Sequence, residues 1–597
     1  MTTEATTDTN EAWLARWREL ASRELKGAPL ERLISRTAEG LAVEPLFPGD
    51  PTALPGRELL LARAGFVICP EYAPAAAGAT IAADLRRGAG AVWLRGHERV
   101  SERLEGVDLM LTPVVIAAGA EGRAAASSLL ATASAREVPR AALHGAIGCD
   151  PLAALATDGS IAWPIEQALT DMSEVAGALQ GTGLRTALVD VGAYHEAGAT
   201  ATDQLAALLA TGVAYLRALT AGGLTTAAAC GQLVFAMAVG RDLFLEIAKL
   251  RAARLCWARV AAACGVDGAT MRLHARGSWR ERTIINPWTG LLRGTGETFA
   301  AAVGGADTIA TTPMDAAIGE PAELGRRMAI NTGLILAEES RLAHVTDPAG
   351  GSGYVEALTD RLARAAWTRF QAIEAAGGVL AGLRSGEIQR SVEAAAQAQT
   401  QAVASVRVPI VGVSRFAAPA EPVTGATPAE ATTPATGGEQ VTPLVRARLA
   451  APFEALRAAG DAHAAKHGAP EAVTLVAVGP PAQWRGRVEF CRAYFGVAGL
   501  AVHETEGSEH IEEAARQFAA TGARAAVICS ADPLYPTVVP ALAPLLRAAG
   551  ARVVLLAGRP KDSAAALAAA GVDLFVQLGG DAVALLTDLQ ARLEVRA

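Results

Sequence analysis

Four side chains, Tyr194, His195, Arg272 and His274, are of types that could carry acid–base work: two imidazoles, a phenol, and a guanidinium able to clamp an anionic substrate. Such chemistry requires them to converge on one cavity. Two further histidines, His503 and His510, are metal candidates, with solvated surface histidine as the plainer reading. Asp347–Pro348–Ala349–Gly350–Gly351 could aim backbone N–H groups at a phosphate. It lacks the lysine of a P-loop and does not lead from a strand into a helix, so a structural bend fits better. Gly579–Gly580 is a weaker signal of the same kind and reads as a βα turn. The seven cysteines (Cys69, Cys149, Cys230, Cys256, Cys264, Cys491, Cys529) lie in apolar runs without a C-x-x-C pair or zinc-finger spacing, which predicts buried thiols in a reducing compartment.

The elements that would position these residues come in two blocks. Short apolar strands alternate with helical stretches at Phe66–Cys69, Ala91–Leu94, Leu109–Ala117, Ala141–Ile147, Thr186–Val191, Leu233–Val239, Met271–Ala275 and Thr308–Thr312. Eight strands spread over residues 57–320 predict a (β/α)₈ TIM barrel. Five more, Val473–Val478, Leu500–His503, Ala525–Cys529, Val553–Leu556 and Leu574–Gln577, alternate with helices and predict a flavodoxin-like, doubly wound C-terminal domain. Between the blocks, residues 416–441 are rich in Pro, Ala, Thr and Gly without periodicity, as in an extended linker. The expected organisation is a helical arm at 1–45, the barrel with trailing helices at 46–405, the linker at 406–445 and the doubly wound domain at 446–597. The arm reads as a helix from Glu11 to about Thr37 capped by Asn10, with Trp13, Trp17, Leu20 and Leu25 at helical spacing. Those anchors suit either this chain's own barrel or a partner subunit.

At 597 residues the chain exceeds the roughly 250–300 at which single cores stop growing, and 51% hydrophobic residues suffice for more than one core. A net charge of −8 provides no basic field for nucleic acid, and no Lys/Arg run suits an anionic membrane. No run of 18 uninterrupted apolar residues and no signal peptide is present, which predicts a cytoplasmic protein.

Several stretches are specific enough to name a family: Glu196–Ala197–Gly198–Ala199–Thr200, the run Glu246 to Arg254, Met314–Asp315–Ala316–Ala317–Ile318, Arg327 to Thr332, and Val345 to Glu356. With the order barrel, linker, doubly wound domain, the chain resembles methylmalonyl-CoA mutase over nearly its whole length. The resemblance implies a catalytic chain that uses adenosylcobalamin to interconvert methylmalonyl-CoA and succinyl-CoA by a radical route, with the acyl-CoA threaded along the barrel axis. The family's cobalt loop, D-x-H-x-x-G, is absent. Here Pro481 stands for the Asp and Gln483 for the cobalt-binding His, and only Gly486 is kept. The family's S-x-L reads Ser530–Ala531–Asp532, and its Gly-Gly turn reads Gly558–Arg559. In the barrel, the family's Tyr-His pair before E-A-G-A falls on Gly192–Ala193, with Tyr194 and His195 two residues later. Arg272–Leu273–His274–Ala275–Arg276–Gly277–Ser278 keeps the leading Arg and His but lacks Cys-Gln-Thr-Ser. The segment that clamps acyl-CoA is replaced by Pro55–Gly56–Arg57.

Kept architecture with lost ligands implies the small (beta, non-catalytic) subunit of a heterodimeric mutase. On that reading no residue of this chain is catalytic, cofactor-binding or metal-ligating, and adenosylcobalamin sits on the large (alpha, catalytic) subunit. Two alternatives stay open. One is a self-sufficient acyl-CoA mutase with an unusual cobalt site, drawing on Tyr194, His195, Arg272 and His274. The other is a non-catalytic CoA-binding module.

Overall fold

The computed structural model describes residues 3–37, 39–47, 65–417 and 438–596, so Pro55–Gly56–Arg57 and residues 418–437 of the linker lie outside it. A helix runs from Thr3 to Glu24, starting and ending earlier than the sequence suggested and somewhat shorter, so Asn10 is inside it and is not its cap. Left-handed backbone at Lys26 and Gly27 stops the helix. A 3₁₀ turn (Leu30–Leu33) and a small antiparallel pair, β1 (Ser35–Arg36) and β2 (Ala42–Val43), complete the arm. None of residues 12–24 is buried, and Trp13 is 51% exposed.

Nine parallel strands form the large sheet: β3 (Val67–Ile68), β4 (Glu71–Tyr72), β5 (Val92–Arg95), β6 (Val114–Gly119), β7 (His144–Cys149), β8 (Gly183–Asp190), β9 (Leu233–Val239), β10 (Leu273–Gly277) and β11 (Thr308–Ala310). Their order is β3-β11-β10-β9-β8-β7-β6-β5-β4. β3 and β4 are successive pieces of one segment, interrupted at Pro70, which has no N–H to give the ladder. The sheet therefore curls back on itself, consistent with a TIM-like barrel. The expected strand Leu109–Ala117 begins only at Val114. Asp108 folds its first half into a turn by accepting from the Met110 N–H (2.9 Å), and Pro113 follows.

Alternation sorts the strand residues into two sets. One set, including Val92, Leu94, Ile116, Phe235 and Leu273, packs against the surrounding helices. The other, with Cys69, Ala91, Trp93, Ala146, Leu188, Val234 and Ala236, forms a separate inner cluster. Helix Leu243–Ala263, capped by Asp242, is buried on several sides between the sheet and helix Gly353–Ala375. Helix Ala201–Ala221 is apolar and long enough to cross a membrane, but 72% of its most apolar 18-residue stretch is buried within the fold. Six of the seven cysteines are buried. Cys264 is exposed, because it follows the last turn of helix Leu243–Ala263 where the chain leaves the core.

The second sheet holds β12 (Ala472–Ala477), β13 (Ala501–Glu504), β14 (Ala525–Cys529), β15 (Val553–Ala557) and β16 (Leu574–Val576), all parallel, in the order β13-β12-β14-β15-β16. That is the 2-1-3-4-5 order of doubly wound sheets, with one apolar cluster on each face. A helix absent from the sequence reading, Ala451–His467, packs on one face. Gln590, fully buried, ties it in by donating to the carbonyls of Leu456 (2.8 Å) and Ala498 (3.1 Å).

Candidate functional site

Tyr194, His195, Arg272 and His274 do not meet in one cavity. His274 points into the barrel. Its ring stacks on Trp93 (centroids 4.1 Å apart, 23° between planes), Nε2 donates to Glu71 (3.1 Å), and Nδ1 accepts from the Thr308 hydroxyl (2.9 Å). Beside it, Arg276 bridges two carboxylates, donating from Nε to Glu71 (2.7 Å) and from Nη2 to Asp190. Arg95 adds a third donor to Glu71 (2.9 Å). Burial alone would raise the Glu71 pKa, but Arg276 and Arg95 hold it well below the usual carboxylate range. An aromatic stack and an ion cluster thus occupy the barrel interior, where TIM barrels usually place layered Val, Ile and Leu. Glu71, Asp190 and Arg276 were missed by the sequence reading. The available signal was charge at the inward-facing positions of strands otherwise made of apolar and small residues.

His195 and Tyr194 lie on the short helix Gly192–Ala197, both buried. His195 Nε2 is 2.7 Å from the Ser278 hydroxyl, spacing that would suit a Ser–His nucleophile pair. The hydrogen-bond network forbids that role. Lys249 donates to Gln204 Oε1 (3.1 Å), which turns the Gln204 amide nitrogen toward Ala199 O (2.9 Å) and His195 Nδ1 (3.3 Å). Nδ1 must then accept, so the proton sits on Nε2 and is donated to Ser278. The imidazole has no lone pair left to take a proton from the hydroxyl. Burial, with the charges of Lys249, Arg280 and Arg276, lowers the His195 pKa well below 6.5. The unfolded chain therefore binds this proton more readily than the folded one. This group's contribution to stability is whole above pH about 6.5 and is lost as the pH falls below it. Nitrogen-15 spectra of the imidazole are expected to show a neutral Nε2–H tautomer at pH about 6.5, where a free imidazole would be half protonated; a titration near 6.5 would contradict the network.

The chain between the two sheets closes the carboxyl end of the barrel. The Arg446 guanidinium lies 3.9 Å from the centroid of the Trp279 ring. Trp279 N donates to Glu196 Oε1 (3.0 Å), and Ala447 N donates to Glu196 O (3.1 Å). Arg280 donates to Ala447 O (2.6 Å) and accepts at its carbonyl from Leu449 N (3.0 Å). Glu196 of the E-A-G-A motif is thus a clasp for this crossing segment. Arg272 is at the other end of the strands, exposed, on the rim of a cavity of about 200 Å³ that Phe66, Arg254, Asp307 and Leu342 also line. Asp347 and Glu356 pair with the buried Arg251, and Ser352 caps helix Gly353–Ala375. The glycine-rich segment between them does lead into a helix, but from a 3₁₀ turn, not from a strand.

In the doubly wound unit the place to examine is the carboxyl end of β12, β14 and β15. Pro481 opens helix Pro481–Gly496, so Gln483 sits exposed in a helical first turn where the expected ligand loop would be. Pro at that helix position is favoured, because its missing N–H would lack a helical partner anyway. Arg487 reaches back across the strand ends to Asp532 (2.7 Å) and Ala557 O, 5.3 Å from the Tyr535 ring centroid. Tyr535 donates to Ala557 O (2.6 Å) and accepts from Ser530 N (3.1 Å). The Arg487 guanidinium lies so close to the Gly558 backbone that a Cβ there would collide with it. These residues do not fit a cobalamin. The amide of Gln483 is a poor cobalt ligand, and Arg487 and Tyr535 fill the approach to the backbone. His503 is exposed on β13, and His510 is exposed just before helix Ile511–Thr521. Gly579–Gly580 forms the turn before the Asp581 cap of the last helix.

Residues 87–460 match the family profile described as methylmalonyl-CoA mutase. A methylmalonyl-CoA mutase small subunit from Streptomyces virginiae is 39% identical over 96% of this chain and 94% of its own length. One from Propionibacterium freudenreichii subsp. shermanii is 34% identical over 78% of this chain and 71% of its own. A methylmalonyl-CoA mutase large subunit from Streptomyces virginiae is 35% identical, over 48% of this chain and 40% of its own.

Proposed function

This chain belongs to the methylmalonyl-CoA mutase family, and we propose that it is the small, non-catalytic subunit of a cytoplasmic heterodimer. Its large partner holds adenosylcobalamin and isomerises methylmalonyl-CoA and succinyl-CoA. The proposed parts are the arm (1–45), an acyl-CoA-mutase-type (β/α)₈ barrel with trailing helices (46–405), the linker (406–445) and a degenerate, flavodoxin-like cobalamin domain (446–597). The observation that carries the reading is the barrel interior. Trp93, His274 and the Glu71–Arg276–Asp190 cluster occupy the axis along which the family's catalytic chain would thread an acyl-CoA. The site at the second sheet is closed as well, by Arg487 and Tyr535. A fold kept while its sites are filled suits a partner whose value is its surface.

The test uses this chain alone, the large mutase chain alone, and the two together. The expected result is no bound adenosylcobalamin in the lone small chain by visible absorbance, and methylmalonyl-CoA isomerisation in the one-to-one mixture. A cobalamin spectrum on the lone chain would overturn the reading. So would saturable CoA binding by the lone chain with no pairing, which is the outcome a CoA-binding module predicts.

A further inference from the structure

Resting on the small-subunit reading, we propose that the outward face of helix Trp288–Val303, with the segment 408–416 beside it, is a surface on which the large chain docks. A surface helix ordinarily turns its charged side chains to water. This helix turns both of its own away. Glu297 is buried and accepts a forked pair from Arg282 (2.8 and 2.6 Å), and Arg293 donates to Val411 O (2.7 Å). Gly290 and Gly294 form the side that meets the barrel, where Met314 and Thr311 lie against them. The opposite side presents Trp288, 59% exposed, and Leu292, 73% exposed, one helical turn apart.

The neighbouring segment extends the patch. A Cβ on Gly412 would touch Asn286 and Thr289 at 3.4–3.5 Å, so this run lies along the first turn of the helix. It exposes Val411 (51%) and Phe416 (72%). Its one charged residue, Arg415, is exposed, as is Arg407 just before it, and the Arg415 guanidinium is 5.0 Å from the Phe416 ring centroid. Aromatic and aliphatic anchors with arginine, and without Lys, Asp or Glu, have the composition of an interface centre. The charge also selects the occupant. On a chain of net charge −8 this rim is basic, so it fits a partner that offers an apolar pocket edged with carboxylates, a poor match for a second copy's own arginine-rimmed patch. The relatives include both small and large subunits, which supplies that partner as the large chain.

The experiment compares wild type with the double variant W288S/L292D, each mixed with the large chain, and adds a photo-crosslinking residue at position 292 of the wild-type background. The expected result is pairing by wild type, a loss of roughly thirtyfold or more in affinity for the variant, an unchanged melting curve for the lone variant, and a crosslink from position 292 to the large chain. Wild-type affinity in the variant would overturn the proposal. So would a crosslink to a second copy or to residues 418–437 of the same chain. If wild type itself does not pair with the large chain, the small-subunit reading falls along with the docking face; if both proteins pair equally, only the docking face falls.

Discussion

Arg276→Met is expected to destabilise the isolated chain by about 3–5 kcal/mol at neutral pH, a large part of the roughly 5–15 kcal/mol typical of a folded domain. The guanidinium holds two carboxylates at once, Glu71 through Nε and Asp190 through Nη2, and its removal leaves both within the barrel short of a counter-charge. Arg276→Lys is expected to recover only part of the loss, because a single ammonium cannot reproduce the fork that bridges two acids. The pH dependence carries a sign. Arg276 and Arg95 hold the Glu71 pKa below its ordinary 4.5 against the effect of burial. In wild type this group's contribution is therefore present above pH 4.5 and is lost as the pH falls through the depressed value. In Arg276→Met the penalty is expected to shrink toward acid pH, where protonation neutralises Glu71. Denaturant unfolding of both proteins at pH 7 and pH 4.5 checks this. An equal loss at the two pH values would mean that lost packing, not lost charge pairing, sets the cost. The triple variant E71Q/D190N/R276M is expected to be closer to wild type than R276M alone, since removing all partners leaves no orphaned charge.

How far the sequence could be read depended on whether an interaction was local. Strand runs such as Leu233–Val239 and Ala525–Cys529 were legible because unbroken apolar stretches bounded by turn residues are what a strand buried on both faces requires. The start of β6 was not, since its position depends on Asp108 capturing the Met110 N–H, a choice that hydrophobicity does not register. Helix Ala451–His467 was hidden because alanine-rich segments beside a linker have little periodicity to detect. At the candidate sites, the loss of the cobalt ligand at Gln483 could be read directly as a substitution in a motif. What replaces the lost chemistry could not. Arg276 meets Glu71 across 205 residues and Asp190 across 86, and Arg446 meets Trp279 across the interval between the two sheets. Contacts of such sequence separation leave no trace in local pattern. The grouping of Tyr194, His195, Arg272 and His274 failed for the same reason. Strand direction sends Arg272 to the amino end of the barrel and His195 to the carboxyl end.

Trp93→Ala is the second change with a large expected effect, about 3–5 kcal/mol, and toward the upper end of that range for two structural reasons. The inner cluster that holds the indole includes Ala91, Ala146 and Ala236, side chains too short to move into the vacated volume, and its larger members Leu188 and Val234 are fixed to strands β8 and β9, each paired on both sides. The site therefore cannot collapse, and the unfilled cavity adds to the lost transfer free energy. The His274 ring also loses its stacking partner while its hydrogen bonds to Glu71 and Thr308 keep it in place. Trp93→Phe, which refills much of the volume, is expected to cost distinctly less. Because the void is lined mainly by apolar atoms, it is expected to take up xenon, whereas the parent protein, with the indole in place, is expected to take up none there. Unfolding free energies for the two variants, with xenon binding as the independent readout, separate a filled barrel from an open one. A Trp93→Ala protein as stable as its parent would mean that the indole fills space the barrel does not need, and the case against an acyl-CoA passage along the axis would lose its main support.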